Sequence, residues 1–212
     1  MSDHVEIETR KAVSQKEGAA LKDAIRQLTL EALKNRQIDK KNVQEVVEQI
    51  FNTAAIAISN SQDRMEPVMQ EVLHGIDEAI SKAVEATEIA TTEVMAIPEK
   101  LPTQQDIARL IKDFESLENV MFESLIHAMS SLGNVGSQTA NRLVKHIKQT
   151  GPAVGESSLK ALKTLNQALQ VAGKNSLIEI SHLSLEVPVN LARIGSGILS
   201  GMLDAMKGRN TK

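Results

Sequence analysis

The chain has no cysteine, no tryptophan and no tyrosine, and only three phenylalanines among 212 residues. The missing cysteine excludes disulfides, thiolate metal sites and cysteine catalysis. The scarcity of aromatics removes the stacking platforms that single-stranded nucleic acids need, so no nucleic-acid partner is expected. It also removes the aromatic anchors that dominate many tight protein interfaces. Proline and glycine are sparse, at 5 and 11. No uninterrupted apolar run approaches the ~18 residues of a membrane span. The first residues, MSDHVEIETR, are polar and lack the apolar core of a secretion signal. The expected address is cytoplasmic, with a peripheral position at a membrane or granule as the surface-binding variant.

What is present is aliphatic and periodic. Apolar residues make up 42% of the chain, enough for a packed core. Ala, Leu, Ile, Val and Met favour or tolerate helix, so the fold class is all-α: long antiparallel amphipathic helices in a bundle, with shorter helices in the last third. A first helix is expected from about Asp3 to Asn35, with Ile7, Val13, Leu21, Ala24, Ile25, Leu28 and Ala32 on one face. Ser14, Glu17 and Gly18 interrupt its first half. Asp39 reads as the N-cap of a second helix, whose stripe is Val43, Val46, Val47, Ile50, Phe51, Ala54 and Ile58. Pro67 fits the first turn of a third helix, where its missing N–H costs nothing. That helix continues through Met69, Val72, Leu73, Ile76, Ile80 and Ala83.

Ile97-Pro98-Glu99-Lys100-Leu101-Pro102 is the clearest break, and Thr103 caps the helix after it. The stripe there is Ile107, Leu110, Ile111, Phe114, Leu117, Met121, Leu125 and Met129. Gly133-Asn134-Val135-Gly136 is expected to end it. Shorter helices follow at about 137–149, 156–172, 174–186 and 189–207, punctuated by Gly151-Pro152, Gly173 and Pro188. Short loops should make sequential helices neighbours.

Charge divides the chain. Residues 1–132 carry 14 Lys and Arg against 23 Asp and Glu, a net of −9; residues 133–212 carry 10 against 4, a net of +6. This suggests an acidic long-helix bundle over 1–132, hinged at 97–103, and a basic helical region over 133–212.

No arrangement of residues points to catalysis, so the protein is read as a non-enzyme with no cofactor and no metal. Two Glu-x-x-His pairs, Glu71/His74 and Glu179/His182, have the spacing that binds iron in some four-helix bundles. At 100° per residue, however, His74 and Glu71 lie roughly 140° and 200° from the apolar stripe of their helix. Glu123 and His127 form an i, i+4 surface pair. His146 sits on a basic face with Arg142, Lys145 and Lys148, and His4 lies near the first residue. No phosphate loop, dinucleotide fingerprint or nucleophile elbow is present.

The segment from Val189 to Met206 is the most suggestive. Leu191, Ile194, Ile198, Leu199, Met202, Leu203 and Met206 form a broad apolar face opposite Ser196, Gly197, Ser200 and Gly201. Such a face packs in a core, lies in lipid headgroups or mediates self-association. Lys160, Lys163, Lys174, Arg193, Lys207 and Arg209 flank it, and basic residues near an anionic membrane add about 1 kcal/mol each.

With its lack of cysteine, its size, the tail and amphipathic stretches such as Val43-Gln44-Glu45-Val46-Val47-Glu48-Gln49-Ile50-Phe51, the chain resembles the phasins, bacterial proteins that coat polyhydroxyalkanoate granules. Exchangeable apolipoproteins share the pattern. The resemblance runs along the whole chain as overall character, without a diagnostic motif, so it carries over no functional residue. It implies non-catalytic association with an apolar or lipid surface. The alternative is a helical scaffold or self-assembling protein-interaction module, in which acidic and basic parts of a homo-oligomer could pair between copies.

Overall fold

The computed structural model describes residues 2–34, 36–95 and 104–175. All secondary structure among them is helical: α1 (Ser2–Gln15), α2 (Gly18–Leu33), α3 (Lys40–Ile58), α4 (Gln62–Met95), α5 (Gln104–Ser130), α6 (Gly133–Thr150) and α7 (Ala153–Asn175). The hinge at 97–103, the Thr103 cap and the helices expected at 174–186 and 189–207 lie wholly or mostly outside the described residues.

The first helix is two. Glu17 is extended and Gly18 takes φ +51°, a left-handed conformation that glycine adopts without steric penalty. The chain therefore turns where Ser14, Glu17 and Gly18 interrupt the stripe. Once α1 is separate, it presents Val5, Thr9, Ala12 and Val13 to the core, and Ile7 is 62% exposed. The expected Ile7 face is thus corrected by the phase of the shorter helix.

Asp39 caps α3 as its sequence position suggests, its carboxylate accepting from the Asn42 N–H at 2.9 Å. Every residue of the α3 stripe is buried. The third expected helix starts earlier than Pro67. In α4 the helix begins at Gln62, placing Pro67 inside it. The added turn is tied down: the Arg64 N–H donates to the Ser61 carbonyl at 3.1 Å, and its guanidinium donates to the Val13 carbonyl at 3.3 Å.

Near Gly133 the expectation shifts as well. α5 ends at Ser130, and Gly133 through Gly136 open α6 instead of closing α5. Gly173 does not interrupt α7, which runs through it to Asn175. A lone helical glycine costs only about 1 kcal/mol relative to alanine.

Helix neighbours follow layers. The most extensive contacts join α2 to α4, α4 to α7, α3 to α5, α5 to α7 and α1 to α3. These are mostly next-but-one helices; sequential helices are neighbours too, as the short loops lead one to expect, but with less extensive contact apart from α5 with α6. The connections α1–α2, α2–α3 and α3–α4 each cross from one layer (α1, α3, α5) to the other (α2, α4, α7), with α6 against α5 and α4. Helix pairs are thereby stacked side by side. A stack suits amphipathic helices because each buries its stripe against both layers.

α4 is the centre of this arrangement. Met69, Val72, Leu73, Ile76, Ala79, Ile80, Ala83, Val84, Ala86 and Ala90 along it are all fully buried. Thr87 and Thr91 are buried too, their hydroxyls donating to the carbonyls of Ala83 and Thr87 at 3.1 and 2.8 Å. α2 can approach only because residue 75 is glycine. A Cβ there would stand 2.6 Å from the Lys22 carbonyl oxygen and 3.0 Å from the Ile25 Cβ.

On the other side of α4 the register is constant. Glu66 pairs with Arg142, Asp77 with Ala153, Ser81 with Ser157 and Glu88 with Thr164, each across 76 residues of sequence. Residue numbers rise together, so α7 runs parallel to α4. One hydrophobic core holds residues from Val5 to Ala168, so the charge boundary near residue 133 is not a boundary of the core.

Candidate functional site

A cavity of about 940 Å³ opens between α4, α5 and the α6–α7 turn. The turn is built by Gly151, which takes φ +84° and donates its N–H to the Ile147 carbonyl at 2.8 Å, followed by Pro152. α7 therefore starts at Ala153 with no Ser, Thr, Asp or Asn beside it to satisfy its first N–H groups.

Asp77 of α4 takes that role from across the layer. It is 4% exposed, and its carboxylate accepts from the Ala153 N–H at 2.8 Å and the Val154 N–H at 2.9 Å. Burial pushes its pKa above the usual carboxylate range, against the opposing pull of these two N–H groups and of His74. The neighbouring Glu78 behaves oppositely. Burial alone would raise it, but hydrogen bonds and charge from Lys22 at 2.8 Å and Arg26 at 3.0 Å hold it below its ordinary value. Lys22 is correspondingly raised, chiefly by its hydrogen bond to Glu78.

The remaining acids of the cleft are not paired. Glu115 and Glu118 of α5 and Glu156 of α7 line it and make no hydrogen bond or ion pair among the described residues. The i, i+3 spacing puts Glu115 and Glu118 on one helix face. Glu118 reaches over the start of α7, where a Cβ on Gly155 would be 3.1 Å from its Oε2. Phe114, Pro152, Leu159 and Leu162 supply an apolar wall, with Leu159 63% exposed. Ser158 stands in the wall at 7% exposure, and its Oγ has no partner among the described residues. Unpaired carboxylates beside exposed apolar carbon suit a cationic, partly apolar ligand.

Most residues singled out from the sequence lie elsewhere. The apolar face Leu191, Ile194, Ile198, Leu199, Met202, Leu203 and Met206, and the basic residues Arg193, Lys207 and Arg209, fall outside the described residues, as do Glu179 and His182. The Lys174 side chain is likewise not described. Lys160 forms an ion pair with Glu88 at 3.1 Å, and Lys163 is exposed on α7. Glu71 and His74 are half-buried and line different hollows, His74 the cleft and Glu71 a smaller one beside Arg64 and Pro67. No group of three His, Asp or Glu side chains among the described residues is arranged to hold a metal. Glu123 and His127 are both exposed and form no ion pair with each other. On the basic face of α6, His146 is exposed, Arg142 pairs with Glu66 at 2.7 Å and Lys148 lies 5.1 Å from the Phe122 ring centroid.

Sequence reasoning missed the cleft. Two signals pointed toward it: a Gly-Pro turn leading into a helix without a capping side chain, and the Glu115/Glu118 pair on one face. No helix among the described residues is long and apolar enough to cross a membrane.

Residues 2–208 match a family described as a family of unknown function (DUF6781), and the chain belongs to it. No curated protein and no solved structure matches the chain.

Proposed function

We propose that this member of a family of unknown function is a non-catalytic helical interaction module, whose acidic cleft holds a cationic, apolar-flanked segment of a protein. The observation that carries this reading is the set Glu115, Glu118 and Glu156, three carboxylates without partners among the described residues, beside the exposed Leu159. A lysine or arginine side chain would neutralise them while its stem, or an adjacent apolar residue, covers the wall. The test is fluorescence anisotropy of a 12-residue peptide of alternating Lys and Leu, titrated with the full chain. Binding that weakens with salt, and further in Glu115→Gln/Glu118→Gln/Glu156→Gln, is expected. Salt-independent binding, or none, would remove the reading.

A second reading is association with an apolar or lipid surface through the Leu191–Met206 face. Its support is the sequence pattern of that segment. The described helices already bury their own apolar stripes in one core, so docking would fall to residues beyond them. Flotation with neutral and anionic liposomes separates the two readings: recovery of the full chain with either, lost on truncation after Val187, supports the surface.

A further inference from the structure

We infer that the occupant of the cleft is α6 of a second copy of this chain, so that the protein assembles head to tail. This rests on the proposed cleft function and names the partner. Among the described helices α6 alone has no Asp or Glu, while it carries Arg142, Lys145 and Lys148. Arg142 is held by Glu66 at 2.7 Å. Lys145 and Lys148 are exposed and make no ion pair among the described residues; the Lys148 ammonium lies over the Phe122 ring. Buried Gly136, Ala140, Leu143, Val144 and Ile147 fix the helix to the body by its other face. At 100° per residue Lys145 lies nearly opposite that face, so it points outward from its own chain.

The two surfaces match in sign, spacing and chemistry. Lys145 and Lys148 are three residues apart on one helix, and Glu115 and Glu118 are three apart on α5, so the Cβ atoms of either pair are about 5–6 Å from each other. Two ammonium groups can thus meet two carboxylates at once, with Glu156 of α7 adding a third. The lysine stems cover Leu159, which is 63% exposed. Ser158 points independently to an occupant: it lines the cleft at 7% exposure, and its Oγ has no partner among the described residues. A buried hydroxyl without a partner is uncommon. An ammonium carries three donors, so one lysine serves a carboxylate and this oxygen together. Cleft and helix face are different patches, and the contact is therefore heterologous. Every added copy presents a new cleft and a new face, and the assembly grows as a chain or closes as a ring.

The test is sedimentation velocity of the full chain in low salt. The weight-average mass should rise with concentration past twice the 23.1 kDa of one chain, and fall back when salt is added. Glu115→Gln/Glu118→Gln/Glu156→Gln removes the charges of the cleft and leaves the α6 face; Lys145→Gln/Lys148→Gln does the reverse. Each variant alone should stay monomeric. Mixed, they should form a dimer and nothing larger, because one intact cleft meets one intact face. A wild-type mass that stays at 23.1 kDa, either variant assembling as the wild type does, or a mixture that stays monomeric would overturn the inference. Anisotropy of the Lys/Leu peptide with Lys145→Gln/Lys148→Gln separates the two proposals. If the peptide binds and the wild type does not assemble, the head-to-tail contact is wrong and the cleft function stands. If the peptide does not bind and the wild type does not assemble, both fall.

Discussion

The two sides of α4 are built by opposite rules. Toward α2 the contact is close, and its charges are matched: Gly75 brings the backbones together, and Glu78 is clamped between Lys22 and Arg26. Toward α7 the contact runs through polar ties such as Asp77 with Ala153 and Val154 and Ser81 with Ser157. There, Glu115, Glu118 and Glu156 at the rim have no ion pair among the described residues. Paired and unpaired carboxylates lie within one cavity wall, so the difference is not one of general acidity. Toward α2 the charges of the cleft are matched within the fold; toward α7 Glu88 is matched by Lys160 at 3.1 Å, whereas Glu115, Glu118 and Glu156 have no such match among the described residues.

The strongest way to break this comparison is at the close contact. Gly75→Val drives side-chain carbon into the Lys22 carbonyl and should cost about 3 kcal/mol by overpacking. In a domain of this size that is about 10 °C in Tm, read by circular dichroism melting. An unchanged melt would show that α2 is not held as described. On the α7 side, Asp77→Ala strands the Ala153 and Val154 N–H groups. A loss of about 2 kcal/mol is expected, with faster amide hydrogen exchange concentrated at the start of α7. Exchange increased uniformly along the chain would argue against a local cap.

Acidity sharpens the contrast between adjacent residues. Asp77 is raised in the folded state, so the folded protein holds that proton more readily than the unfolded chain. Its contribution is most favourable below the ordinary aspartate range and declines as pH rises through the raised value. Glu78 is lowered, so its contribution is present above the ordinary glutamate range and is lost as pH falls through the lowered value. Urea unfolding between about pH 3 and 7 should therefore give stability differences, wild type minus Asp77→Asn and wild type minus Glu78→Gln, with opposite slopes. Slopes of one sign would contradict the assignment. The smallest effect belongs to the rim: Glu115→Gln, Glu118→Gln and Glu156→Gln together should change unfolding free energy by no more than about 0.5 kcal/mol. A larger loss would mean those carboxylates have partners in the fold after all.

Individual helices were legible in the sequence because each stripe repeats at helical spacing. The α3 stripe and the Asp39 cap emerged residue for residue, and so did the buried face of α4 from Met69 to Ala83. Helix ends were less legible. Pro67 reads as a first-turn residue locally, but Arg64 reaches Val13 and extends the helix backward through a contact that sequence spacing does not encode. Ile7 failed for a related reason, since the phase of α1 depends on the break at Gly18 and on packing against α3. The layering was hidden altogether: short loops fix which helix ends meet, not which faces pack. The cleft was hidden with it, because Asp77 and Ala153 meet only once α7 lies beside α4.

The constant separation of 76 residues has a kinetic consequence. Closing a chain loop of that size carries an entropic cost of roughly 4 kcal/mol from its length dependence. Because Glu66, Asp77, Ser81 and Glu88 each meet a partner at the same separation, the first tie to form sets the register and brings the others into range without a second closure of similar size. The C-terminal helices should then join α4 in one cooperative step. Because their contacts are the more distant in sequence, that step should follow the association of α2 with α4 during refolding.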